Sequence, residues 1–257
     1  VTRGGIGSQD VVVEIGAGLG ALTVALAKTA RKVYAIETDH GLIGLLQTQL
    51  EAAQVDNVTV LCQDALTLHW QGLPEAGRVP LVVAGNLPYH IASRIIVDLI
   101  DHRRLVRQAV VMVQKEMARR LTASPGNKDY GRLSVMLQYC SQVEKIADLG
   151  AGQFYPRPKI DSQVVRIRFR PTIEPRALCE TTLSRVVQAA FAQRRKTLKN
   201  ALAGSHLGLD PPRAEQLLAS VGIDAGRRAE TLTVAQFVRL SNAYGELETL
   251  TGTLNLF

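Results

Sequence analysis

The sequence predicts an α/β fold: a mostly parallel sheet with an antiparallel pair of strands at its edge, followed by a small all-α domain. Three observations predict it. Short β-branched runs alternate with helix-patterned stretches through the first 115 residues, as in parallel sheets covered on both faces. Two later strand candidates have no helical pattern between them, which suits an antiparallel edge pair. From Pro175 onward the pattern is wholly helical. A chain of 257 residues fits a large domain plus a small one, and the boundary is expected between 1–172 and 173–257.

Taken in order, Val11–Ile15, Val33–Ile36, Val58–Leu61, Leu81–Ala84 and Ala109–Val113 are the strand candidates of the parallel part. Between the second and third, Leu42, Leu45, Leu46 and Leu50 recur at helical spacing. Gln142–Leu149 and Gln163–Phe169 form the expected edge pair. Helices are expected over Ala177–Ala192, Ala214–Val221 and Val234–Tyr244, separated by "GLDPP" and "GIDAG".

The apolar fraction is 46%, ordinary for a chain with a real core. No apolar run approaches the roughly 18 residues of a membrane span, and no signal-peptide pattern opens the chain. Cys62, Cys140 and Cys179 lie far apart without metal-ligand spacing, so no metal is expected and the thiols suit a reducing, cytoplasmic compartment. The net charge of +7 is unevenly spread. Residues 1–150 hold 15 Lys/Arg against 14 Asp/Glu, residues 151–257 hold 15 against 9, and Arg157–Lys199 alone holds 11 against 3. Such asymmetry favours a polyanionic partner for the C-terminal half, or else marks a solvated basic face.

"VVVEIGAGLGALTVALA" (11–27) reads as strand, glycine turn and helix start. Gly16, Gly18 and Gly20 let the backbone approach a ligand, and the helix start offers N–H groups. Glu37 ends the second strand at the distance expected of a carboxylate that grips ribose hydroxyls. Asp64, in "CQDAL", follows the third strand, where it can also cap a helix. Polar groups at three strand ends place a ligand site at the carboxyl edge of the sheet. A nucleotide-like cofactor follows, with NAD and S-adenosylmethionine both open.

The fourth strand ends in Asn86-Leu87-Pro88-Tyr89. The exocyclic amine of adenine is a poor nucleophile because its lone pair is delocalised into the ring. Acceptors placed against its two hydrogens localise that lone pair, and the Asn86 side-chain oxygen and Leu87 carbonyl can supply them. Pro88 stiffens the turn and adds no competing donor. Tyr89 can stack on the base. Hydride transfer has no use for this tetrapeptide, so S-adenosylmethionine is the expected cofactor.

"EIGAGLG", "ETD", "QDAL", "NLPY", "QKEMARRL", "FYPRPKIDS" and "FAQRRKTLKNAL" together resemble the rRNA adenine-N6,N6-dimethyltransferases, in the family's order and over almost the whole chain. The likeness is greatest to the bacterial small-subunit (16S) type, which dimethylates two adjacent adenines in a terminal hairpin loop. The resemblance implies a class I (Rossmann-like) methyltransferase fold that binds S-adenosylmethionine. It implies Gly16 at the methionine part, Glu37 at the ribose, Asp64 at the adenine and Asn86 between cofactor and target amine. Glu14, Ala17, Gly18 and Ala65 complete the cofactor-site candidates. It also implies that Phe154 and Tyr89 sandwich the target base. The family carries a Gln-Asn-Phe-Leu type segment that helps cover the cofactor, and Val1 falls after it.

Candidate RNA contacts are Lys115, Arg119 and Arg120 in "QKEMARRL", Arg157 and Lys159 in the proline-rich stretch, and Arg194, Arg195, Lys196 and Lys199 in "QRRKTLK". Val113, Met117 and Leu121 are expected to share the core face of one helix, with Glu116 paired to Arg120. Arg195 and Lys199, four apart, are expected at the start of the helical domain. The implied partner is small-subunit rRNA in a pre-30S particle, met by a monomer. The rivals are an NAD-dependent oxidoreductase, a large-subunit resistance methylase and a non-catalytic assembly factor on the same fold. The basic helical tail and "RRAETLTVAQF" (227–237) favour the small-subunit type.

Overall fold

The computed structural model describes residues 1–150, 152 and 160–254. They divide into two compact units, one of residues 1–122 and 140–171, the other of residues 123–139 and 172–257. No described helix is long and apolar enough to cross a membrane.

The first unit is built on seven strands: β1 (Val11–Ile15), β2 (Lys32–Glu37), β3 (Val58–Cys62), β4 (Leu81–Asn86), β5 (Val106–Gln114), β6 (Ser141–Leu149) and β7 (Ser162–Phe169). Their order is β3-β2-β1-β4-β5-β7-β6. The first five run parallel, and β7 runs antiparallel to both β5 and β6. This is the mixed α/β sheet the sequence predicts, with its antiparallel edge. All five residues of β1 are buried, as a central strand with both faces covered requires. On one face, Leu26 and Ala27 of α1 (Ala21–Ala27) pack with Val12, Val33, Val82 and Ala84. Leu46 and Leu50 of α2 (His40–Ala52) pack with Ala35. Asp39 caps α2 by accepting the Gly41 amide at 2.8 Å. The parallel part continues through α3 (Ala92–Asp101) and α4 (Lys115–Thr122).

The strand order reverses between β1 and β4. β1 leads on to β2 on one side, while β4 leads on to β5 on the other. Ligands of open α/β sheets bind in the crevice outside the carboxyl ends of strands at such a switch point.

The helical unit contains α5 (Arg132–Cys140, all but its last residue), α6 (Glu180–Phe191), α7 (Leu198–Ala203), α8 (Pro211–Ser220) and α9 (Val234–Leu254). "GLDPP" separates helices as expected, because Asp210 caps α8 through the Arg213 amide and prolines fill its first turn. Residues 123–139 precede the expected boundary yet belong here. Tyr130 packs on Phe191 and Phe191 on Phe237, with ring centroids 6.2 and 5.7 Å apart. The Gly126 amide donates to the Glu230 carbonyl at 2.7 Å, and the Ala177 amide donates to the Tyr139 hydroxyl at 3.2 Å.

One expectation about helices is corrected. Val113 does not share a helix with Met117 and Leu121. It lies in β5, α4 starts only at Lys115, and Ala118 and Leu121 are the buried residues of that helix. Apolar residues four apart carried the helical reading across a strand end. In the helical unit, Arg195 lies in the turn of residues 192–197 between α6 and α7, and Lys199 lies in α7.

Candidate active site at the carboxyl edge of the sheet

The turn after β1 is organised from within. Gly16, Gly18 and Gly20 take φ of 77, 55 and 87°, conformations that side chains disfavour. The Gly16 and Ala17 amides both donate to the Ile36 carbonyl, at 3.0 and 3.1 Å. The Gly18 amide donates to Glu37 Oε2 at 2.8 Å. These N–H groups are therefore engaged inside the protein. Glu37 Oε1 accepts the Thr38 and Asp39 amides at 2.8 and 3.0 Å. A carboxylate has about four lone-pair positions, and backbone amides here fill three of them.

Glu14 is buried in β1, and its Oε2 has no hydrogen-bond partner. Burial pushes its carboxyl up to about 7; the Thr23 hydroxyl pulls the other way and the charge of Glu37 adds to the rise. Thr23 Oγ1 completes no hydrogen bond either. Asp64 caps the turn of residues 65–67, its Oδ1 accepting the Leu66 amide at 2.9 Å. Its other oxygen takes no hydrogen bond among the described residues.

The end of β4 comes to the glycine turn. A Cβ placed on Gly16 would lie 3.6 Å from the Asn86 carbonyl oxygen. Gly85 makes this approach possible, because a Cβ there would sit 2.4 Å from the Ile15 carbonyl oxygen. Leu87 is buried, and its amide donates to the Met112 carbonyl of β5 at 3.0 Å. Asn86 is exposed, and among the described residues neither its side-chain amide nor the Leu87 carbonyl is in a hydrogen bond. The Pro88 carbonyl closes the turn by accepting the Ile91 amide at 3.1 Å. Tyr89 is 41% exposed, and its hydroxyl lies 3.3 Å from Ser162 Oγ, itself buried at the start of β7.

The structure thus brings Glu14, Gly16, Ala17, Gly18 and Glu37 together around one turn, with Asn86–Tyr89 beside it. The sequence reading missed Gly85 and Ser162. A glycine inside a strand pattern was the available signal for Gly85. Nothing local marks Ser162, whose role depends on Tyr89 crossing to β7. Phe154, Arg157 and Lys159 lie outside the described residues.

The ribosomal RNA adenine dimethylase family profile matches residues 3–246. This chain belongs to that family. Among curated members of the family's kind, the ribosomal RNA small subunit methyltransferase A of Desulforapulum autotrophicum is 45% identical over 95% of this chain and 85% of its own length. The protein of that name from Bacillus cytotoxicus is 42% identical over 93% and 82%. Two solved structures share the fold across 95% of this chain and 94% of theirs. A dimethyladenosine transferase of Plasmodium falciparum has a TM-score of 0.80 at 27% identity. The 23S rRNA methyltransferase ErmE has a TM-score of 0.72 at 26% identity.

The dimethylase family uses S-adenosylmethionine, and the cradle fits it. Glu14 offers an unpartnered buried oxygen, nothing lies within 4 Å of a Cβ built on Gly18, and Asp64 and Asn86 keep unengaged polar atoms.

On the other candidate contacts, Lys115 Nζ lies 3.9 Å from Asp161, and Arg120 pairs with Glu116 as expected. Arg119 is exposed. In the helical unit Arg194 donates to the Lys128 carbonyl, and Lys199 donates to Glu215 at 3.2 Å. Arg195 and Lys196 are exposed in the turn between them.

Proposed function

We propose that this dimethylase transfers methyl groups to the N6 amines of two adjacent adenines in a hairpin loop of small-subunit (16S) rRNA. One observation carries the reading: beside a glycine turn suited to S-adenosylmethionine, β4 ends with an exposed Asn86 amide and a Leu87 carbonyl that are both unengaged among the described residues. Glu14, Gly16, Ala17, Gly18, Glu37, Asp64, Ala65 and Asn86 hold the cofactor, which supplies an electrophilic methyl group. The chain itself prepares the amine. Asn86 Oδ1 and the Leu87 carbonyl accept its two hydrogens and localise the nitrogen lone pair. These acceptors strengthen their hold as positive charge grows on nitrogen, and the Leu87 carbonyl is positioned by the Leu87 amide's bond to Met112. The Tyr89 ring is the stacking surface, steadied by Ser162. An adenine reaches this edge only after leaving its stack.

Arg119, Arg120 and Lys115 on the first unit, and Arg194, Arg195, Lys196 and Lys199 on the second, contact RNA phosphate. Backbone contacts of this kind position the RNA and leave target choice to its shape. The second unit is thus proposed as an RNA-binding domain. The protein acts as a monomer on a pre-30S particle in the cytoplasm, in keeping with an rRNA substrate.

A large-subunit target is the second reading, because the likeness to the 23S rRNA enzyme extends over nearly the whole chain. Labelled S-adenosylmethionine, unmethylated small and large subunit particles, and nucleoside analysis of the product separate the two. N6,N6-dimethyladenosine in the small subunit particle alone is expected. Label only in large subunit particles overturns the assignment.

A further inference from the structure

A cavity of about 170 Å³ opens beside Tyr89. Its walls include Tyr89 itself, Ser93 near the start of α3, Gln114 at the end of β5, and Glu116, Met117 and Arg120 on α4. All belong to the first unit. Gln114 has no place in the acceptor geometry described above. Its side-chain amide makes no hydrogen bond among the described residues. Its partner across the sheet is Ser162, the residue that steadies Tyr89. The cavity therefore combines an exposed aromatic ring, an unengaged amide with donor and acceptor, a hydroxyl, a thioether, and a carboxylate held by an arginine. Ring plus amide is the equipment of a nucleobase site: the ring stacks without regard to sequence, and the amide reads an edge.

We propose that this cavity holds the adenine next to the one being methylated, and that Gln114 reads it. The inference rests on the dimethylase reading above. When one adenine occupies the Asn86–Leu87 acceptors against Tyr89, its neighbour lies one phosphodiester away. The cavity begins at that same tyrosine. A glutamine amide pairs with adenine in two bonds, accepting from the N6 amine and donating to N7. Guanine would set its O6 against the amide oxygen, and a pyrimidine has no N7 to accept. Glu116, which pairs with Arg120, offers a further acceptor for an amine and opposes a carbonyl at that place. The cavity thus selects the second adenine while the first reacts, which links the two neighbouring modifications to one binding event.

The test uses small subunit particles whose rRNA carries either both adenines or a uridine in place of one of them, under single-turnover conditions with saturating cofactor. The parent protein is expected to methylate the remaining adenine about tenfold or more slowly when its neighbour is uridine, the scale of losing one bidentate base contact. Gln114→Ala should slow the two-adenine particle by a similar factor and abolish the difference between particles, with affinity for S-adenosylmethionine unchanged. Ser93→Phe, which narrows the cavity from its exposed lip, should do the same without touching the sheet. Equal parental rates on both particles overturn the inference, as does a Gln114→Ala protein that keeps the parental discrimination. A parent inactive on the two-adenine particle overturns the functional reading, and the neighbour site falls with it. Activity there without dependence on the neighbour overturns the neighbour site alone.

Discussion

Glu37 Oε2 accepts the Gly18 amide at 2.8 Å, tying the end of β2 to the turn after β1 across 19 residues of sequence. With the Thr38 and Asp39 amides on its other oxygen, this carboxylate shapes the turn proposed to hold the cofactor. Glu37→Ala should therefore weaken both cofactor binding and the fold. A hydrogen bond to a charged group contributes about 1.5–3 kcal/mol, so affinity for S-adenosylmethionine should fall about tenfold or more. Calorimetric titration and chemical denaturation read the two effects, and unchanged affinity would remove Glu37 from the site.

Glu14 makes stability depend on pH. Its folded carboxyl titrates near 7, against 4.5 for the ordinary group, so the folded state holds the proton more tightly than the unfolded chain. Stability from this group is fully present below about 4.5 and declines as pH rises through 7, by about 3 kcal/mol in all. Glu14→Gln should flatten that decline. Denaturation midpoints from pH 5 to 8 test it; parallel curves for parent and variant would contradict the shift.

Gly85→Ala should destabilise the first unit severely. Its Cβ would stand 2.4 Å from the Ile15 carbonyl oxygen, a backbone atom that cannot move without parting β1 from β4. Overpacking of this kind costs about 3 kcal/mol or more. Gly7→Ala, with nothing within 4 Å of the new carbon, is the control and should change little. Urea unfolding compares them.

Asn86→Ala should fold and bind RNA as the parent does, yet lose about 10²–10³ in single-turnover methyl transfer, the scale of one preorganised contact to a transition state. Tyr89→Phe gives up only the hydrogen bond to Ser162 and should keep most activity, whereas Tyr89→Ala removes the stacking ring. An Asn86→Ala protein working at the parental rate would reduce Asn86–Tyr89 to a turn.

Reversing Arg194, Arg195 and Lys196 to Glu should weaken RNA binding and flatten its salt slope, by roughly 0.7–0.9 for each phosphate that is no longer neutralised. RNA affinity measured across a salt series decides, and an unaltered slope would make the turn a solvated surface.

Much of this protein is set by local pattern. Every strand of the sheet was legible, because β-branched runs such as Val11–Val13 carry their preference and their burial in the residues themselves. The glycine turn was legible for a similar reason: only residues without a Cβ adopt its conformations cheaply. Asn86-Leu87-Pro88-Tyr89 stood out as a candidate through residue type alone.

Tertiary structure decided which distant groups meet. Strand order puts β4 beside β1, and that adjacency brings Asn86 to Gly16. Glu37 looked like a free ribose ligand until the fold delivered the Gly18 amide to it. Residues 123–139 follow the first unit's α4 in sequence, but Tyr130 finds its apolar partner in Phe191, 61 positions on. Val113 shows the limit most plainly: the sequence reads it both as a strand end and, four before Met117, as part of a helix face, and its pairing with Gln163 of β7 decides for the strand. Periodicity is a property of neighbours in sequence, whereas these choices are settled by packing and hydrogen-bond energies between segments far apart in the chain.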